Sequence, residues 1–179
     1  MLFDPRKPTR LDYYDYSLPG GYFFTACTSG FRQIFARLRN DEFRLSRFGR
    51  VVWETWQGLP EHFPRVELDE FVVMPNHIHG ILILHPVKSG GKLSSLIHVL
   101  ASLKSFSSRR INVLRGTNQP AIWQRSYRDR VIRPEEDLND YRQYIRDNPR
   151  KWELDEYNQM SRQGRSKTGP YNAAPAINK

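Results

Sequence analysis

Apolar residues recur along this chain in two periods, and the changes between them mark its elements. Tyr22 to Ser29 (YFFTACTS) is rich in β-formers, follows a Pro19-Gly20-Gly21 turn and is closed by Gly30, so it reads as a strand. Phe48 to Gln57 sets Val51, Trp53 and Trp56 among polar positions at helical spacing, with Gly58 as the stop, and predicts a first helix. From Arg65 to Leu84 two apolar runs flank Met74-Pro75-Asn76, the signature of an antiparallel hairpin. Leu93 to Leu114 returns to helical spacing through Leu96, Ile97, Leu100, Leu103, Phe106, Ile111 and Leu114.

Ala121 to Ile132 reads as a fourth strand. Pro134 and the acids Glu135, Glu136 and Asp137 then open a third helix, which runs to about Asn148 because Pro149 disfavours helical geometry before it. The order βαββαβ plus a terminal helix fits an α+β, ferredoxin-like arrangement: a four-stranded antiparallel sheet with helices on one face. Residues 1–158 are expected to form one domain, and the polar, small-residue-rich stretch 159–179 a flexible basic tail.

Composition sharpens this picture. With 179 residues, 39% hydrophobic and 13% aromatic, the chain can build one proper core and has little room for two. The balance of 28 Lys and Arg against 19 Asp and Glu, a formal charge of +9, favours a polyanion, although many basic proteins bind none. No long apolar run or basic amphipathic helix suggests a membrane, and Met1 to Arg10 lacks the apolar stretch of a secretion signal, so a cytoplasmic protein is expected. The single cysteine, Cys27, lies in an apolar run and reads as a core residue rather than a nucleophile.

Candidate chemistry lies in two places. His77 and His79 open a strand, where the period of two sends both imidazoles to one face and could preorganise a metal site; an ordinary structural pair reads the same way. In YIRDN, Tyr144 and Asn148 are four apart and share a helical face about 6 Å apart along the axis, which suits a nucleophile beside a metal-bound oxygen donor. Tyr144 could equally be a packing aromatic, and Asn148 a residue that simply ends a helix before proline. Tyr141, about 10 Å from Asn148 along the axis, is too far for one compact site.

MPNHIHGILIL followed by YIRDNPRKW strongly resembles the REP-associated tyrosine transposases, single-tyrosine members of the HUH class. LDYYDYSLPGGYFFTACT, LKSFSSRRIN and WQRSYRDRVIR extend the resemblance over about Arg10 to Asp155. The resemblance implies a single-stranded DNA endonuclease and strand transferase that acts on hairpin-associated sites in DNA transposition. It places a divalent cation, Mg²⁺ or Mn²⁺, on His77, His79 and Asn148, and makes Tyr144 the nucleophile that forms a 5′-phosphotyrosine. One departure stands out: Arg130 occupies a place where many relatives carry histidine.

The implied partner is single-stranded DNA with hairpin structure, bound through unstacked bases on aromatic rings and phosphates on basic groups. Candidates are Arg6, Lys7, Arg10, Tyr13 and Tyr14, with Tyr16 beside them, and further along Lys104, Arg109, Arg110, Arg128, Arg130 and Arg146. The N-terminal aromatics could instead anchor their own segment on the sheet. Helix arginines Arg142 and Arg146 are candidates to help ionise Tyr144, although solvation is their commoner use. Monomer and homodimer both remain compatible with the sequence. Other readings are a catalytically inactive, domesticated hairpin-binding protein, a replication initiator or relaxase, and a sheet-based binding module that would need neither His77 nor His79.

Overall fold

The computed structural model describes residues 13–39, 42–88, 91, 93–132 and 135–162. Its centre is a four-stranded antiparallel sheet in the order β4 (Val66–Val73), β5 (His77–Leu84), β1 (Gly20–Cys27), β6 (Arg128–Ile132). With α1 (Arg47–Gln57), α3 (Leu96–Arg115) and α4 (Glu135–Asp147), this is the expected α+β, ferredoxin-like arrangement with an additional helix carrying Tyr144. Ser46 caps α1 by accepting from the backbone N–H of Phe48 and Gly49, and Gly116, at φ 67°, ends α3 in the left-handed region.

Both sheet faces are covered, whereas the strand pattern had suggested one. Tyr22, Phe24, Ile78 and Leu82 pack under α1 and α3, while Phe23, Ile81 and Ile132 pack under Tyr141 and Ile145 of α4. The reason is visible along β5, where successive residues on both faces are buried, so each face needs its own cover. Gly80 is part of this fit: a Cβ there would lie 2.7 Å from the Phe24 ring and 2.9 Å from that of Phe71.

Three features depart from the sequence pattern. A small hairpin, β2 (Ala36–Arg39) with β3 (Glu42–Leu45), precedes α1, and a short helix α2 (Leu59–His62) follows it. The fourth strand is confined to Arg128–Ile132; before it, the backbone of Ile122 and Gln124 is tied to Ser29 and Cys27, and Lys104 Nζ donates to the carbonyls of Gln124 and Arg125. After α4 the chain tightens into a 3₁₀ segment, Asn148–Leu154, and then forms α5 (Glu156–Arg162). No helix among the described residues is long and apolar enough to cross a membrane.

Candidate metal and nucleophile site

Strand alternation puts His77 and His79 on the α4 side of β5, as their spacing predicts, and both are buried at 0% and 1% exposure. Their Nε2 atoms are 3.0 Å apart. Each Nδ1 has its own partner: Asn76 Oδ1 at 2.8 Å for His77 and Thr25 Oγ1 at 2.8 Å for His79. The Asn76 amide donates to the carbonyls of Tyr157 and Phe31, which turns its oxygen toward His77. His77 Nδ1–H therefore donates, and its Nε2 is left with a lone pair. Thr25 can donate or accept, so His79 can present either a proton or a lone pair to its neighbour.

Burial, together with the charge of His79, holds His77 well below the usual imidazole range, and burial pushes His79 down to about 3. Both rings are thus neutral at physiological pH, the form that coordinates metal ions. A third donor comes from the other end of the chain. Asp155 Oδ2 lies 3.9 Å from His77 Nε2, and one ligand atom from each of His77, His79 and Asp155 fits within 4.8 Å of the others. Burial pushes the Asp155 carboxyl up to about 6, against backbone N–H groups of Tyr157 and Asn158 that favour its charged form. The ring of Tyr157 covers His77, centroids 4.6 Å apart.

Tyr144 projects from α4 onto the same face, its ring centroid 5.3 Å from that of His79 and 5.9 Å from that of Phe23. Burial raises its hydroxyl to about 12, while a hydrogen bond from the Asn148 side chain and the positive charge of Arg128 work in the opposite direction. The helical spacing of four thus brings Tyr144 and Asn148 into contact, with Asn148 buried. Tyr141 has a different place: it stacks on Phe23 at 4.9 Å and accepts from Arg130 at 3.3 Å within the core under α4.

The basic candidates separate by location. Arg128 borders the site: it is in register with Thr25, pairs with Glu156 at 3.1 Å and lies over the Tyr157 ring. Arg130 shares that face through Tyr141. Arg146 pairs with Glu70 and Arg142 with Asp69, both on β4. Lys104, Arg109 and Arg110 belong to α3, across the sheet from the histidines, where Arg109 lies over Phe106 and Arg110 pairs with Glu54. Tyr13 is fully exposed, whereas Tyr14 contacts Tyr16 and Tyr22 edge-on and so helps anchor its own segment. Arg6, Lys7 and Arg10 lie outside the described residues.

Thr25, Asn76, Asp155 and Tyr157 were not singled out from the sequence. Asn76 stands inside the histidine motif, and an Asp ahead of a helical run is a recognisable cap signal, but nothing local links position 155 to position 77. Thr25 meets His79 only through the β1–β5 register. Cys27, whose thiol burial pushes up, is the core residue expected of it.

Comparisons with known proteins bear on the family and the fold. Residues 42–148 match the family model described as "Transposase IS200 like". A Haemophilus influenzae protein without an assigned function is 33% identical over 165 residues, covering 84% of this chain and 92% of the relative. A REP-associated tyrosine transposase solved with a REP hairpin superposes with a TM-score of 0.55 at 21% identity, over 80% of this chain and 74% of that one. A putative transposase from Deinococcus radiodurans gives 0.50 at 19% identity, over 77% and 95%. At these identities the two structures speak for the fold.

Proposed function

This chain belongs to the IS200-like transposase family, and from that premise we propose that it is a tyrosine transposase of the REP-associated type. In this reading it cleaves and rejoins single-stranded DNA at hairpin-associated sites through a 5′-phosphotyrosine on Tyr144. The observation that carries the reading is the juxtaposition of Tyr144 with a buried pair of neutral histidines whose Nε2 atoms stand 3.0 Å apart.

The donor set fits a divalent cation. Two donors held at about 2.1 Å from one ion at right angles stand about 3 Å apart, the separation of the two Nε2 atoms. His77 is fixed in the ligating tautomer by Asn76, and His79 can adopt it with Thr25 as acceptor. His77, His79 and Asn148 would hold Mg²⁺ or Mn²⁺, which supplies charge stabilisation to the scissile phosphate.

The rest of the reaction falls to the chain's own groups. Tyr144, held between Phe23, His79 and Asn148, gives up its proton to solvent with Arg128 favouring the anion, and its oxygen attacks phosphorus in line with the departing 3′-oxygen. A Tyr144–phosphate ester forms, the P–O3′ bond breaks, and the 3′-oxygen takes a proton. Attack by another 3′-hydroxyl reverses these steps and releases Tyr144, so rejoining needs no outside energy source. The substrate class follows the structural relative solved with a hairpin. Arg128 and Arg130 at the β6 edge are the proposed phosphate contacts nearest the reaction.

A labelled single-stranded hairpin DNA, incubated with and without Mn²⁺ and run on a denaturing gel, tests this reading. A covalent protein–DNA species that requires both Mn²⁺ and Tyr144 is expected, and Tyr144→Phe should abolish it. Metal-dependent cleavage that survives in Tyr144→Phe would move the nucleophile elsewhere. Hairpin binding without cleavage would favour a domesticated binding protein.

A further inference from the structure

We infer that Asp155 is a further ligand of the divalent cation, and that cation binding therefore ties the segment carrying α5 to the histidine strand. The inference rests on the metal reading above and extends it to a residue beyond the family-matched span, which ends at Asn148.

Three observations carry it. First, the Asp155 side chain is 6% exposed and its Oδ2 faces His77 Nε2 at 3.9 Å, close enough for one ion to span both. Second, its two oxygens have divided tasks. Oδ1 accepts from the backbone N–H of Tyr157 at 2.7 Å and of Asn158 at 3.3 Å, capping α5, which leaves Oδ2 directed at the histidines. A carboxylate buried beside neutral imidazoles is costly, and a cation bound by the same imidazoles would offset that cost.

Third, the backbone around Asp155 is held in place independently of any ion. Asn76 donates to the Tyr157 carbonyl at 2.7 Å, Asn158 donates to the Trp152 carbonyl at 2.9 Å, Arg128 pairs with Glu156, and Gln33 donates to Ser161 at 2.7 Å. Asn76 is thus shared: its oxygen sets the tautomer of His77 and its amide fixes the segment that delivers Asp155. A preorganised carboxylate of this kind raises affinity for a hard cation because little ordering is left to occur on binding.

The test is Mn²⁺ binding followed by the electron paramagnetic resonance signal of the free ion. The full chain is compared with Asp155→Asn, Asp155→Ser, Glu153→Gln and the double variant His77→Ala/His79→Ala. Asn and Ser both keep a capping oxygen for α5, so folding is preserved in at least one of them, as circular dichroism will report. The expected result is one bound Mn²⁺ in the wild type, about tenfold or more weaker binding in both Asp155 variants, no change in Glu153→Gln, and no binding in the double variant.

Hydrogen exchange gives a second readout: Mn²⁺ should slow exchange of the Tyr157–Arg162 amides in the wild type and leave them unchanged in Asp155→Asn. Wild-type affinity in both folded Asp155 variants, with binding lost in the double histidine variant, overturns the role of Asp155 and leaves the histidine site standing. Equal binding by the wild type and the double variant overturns the metal reading itself, and this inference with it.

Discussion

Arg142 forks onto Asp69, its Nε and Nη2 reaching the carboxylate at 3.0 and 2.7 Å, and so fastens the tyrosine helix to an irregular point of the edge strand β4. One turn further on, Arg146 takes Glu70 in the same way. These two pairs lie at the β4 register shift between Leu68 and Phe71, where the strand turns consecutive acids toward α4. The helix arginines therefore act as fasteners, and the chemistry one turn away depends on where they hold Tyr144.

The first prediction concerns that positioning. Asp69→Asn should leave hairpin affinity unchanged while slowing single-turnover cleavage about tenfold, because a small displacement of a nucleophile costs rate rather than binding. Asp69→Glu should recover part of the rate. Equal losses in binding and rate would show that the pair serves the fold at large instead.

Cation binding should stabilise the folded chain. At a hundredfold excess over its dissociation constant, Mn²⁺ should add about 2.7 kcal/mol. Calorimetry should show the melting point rising with Mn²⁺ in the wild type and remaining fixed in His77→Ala. A rise of the same size in both would place the ion elsewhere.

Acid should destabilise the protein in the presence of a chelator. Burial lowers both histidines in the folded state, His79 to about 3, so their contribution is complete above the unfolded value near 6.5 and is lost progressively as pH falls from there toward the folded values. Asp155, raised to about 6, works the other way: its contribution is complete below 3.8 and is lost as pH rises through 6. Two histidines outweigh one carboxyl, and urea unfolding at pH 7 and pH 5 should differ by about 2 kcal/mol in favour of pH 7. Greater stability at pH 5 would contradict the burial of the pair.

Gly80→Ala tests the fit behind the histidines. The new methyl would press into Phe24, and into Phe71 where it stacks on Trp56 at 4.3 Å, and overpacking of this kind costs about 1–3 kcal/mol. A lowered melting point with retained Mn²⁺ stoichiometry is expected. An unchanged melting point would mean that the rings yield freely.

DNA affinity should fall with salt, with a log–log slope of about 0.7 for each phosphate neutralised on a single strand. Arg128→Met should reduce that slope by about one contact, and Arg110→Met, on the opposite side of the sheet, should leave it unchanged. The reverse pattern would move the DNA path onto α3.

Much of this protein was legible residue by residue, because the signals involved are local. The alternation that puts His77 and His79 on one face, and the spacing that brings Asn148 to Tyr144, depend only on strand and helix geometry. The βαββαβ order followed from the same periodicities, and MPNHIHG with YIRDNP was enough to point to the transposase family. What periodicity could not report was which sheet face a helix covers: α4 went to the face opposite α1 and α3, and β5 is buried on both. The short hairpin β2–β3 was missed, because two strands of four residues carry too little pattern to stand out.

The site divides along the same line. The sequence by itself determined the histidine pair and the tyrosine–asparagine pair, since each is closed within five residues of chain. Only the tertiary structure decided that these pairs meet, that Thr25 backs His79 from the neighbouring strand, and that Asp155 and Tyr157 close over His77. Those contacts span 54 and about 80 residues, and they exist because strand register and the docking of α5 bring distant segments onto one sheet face.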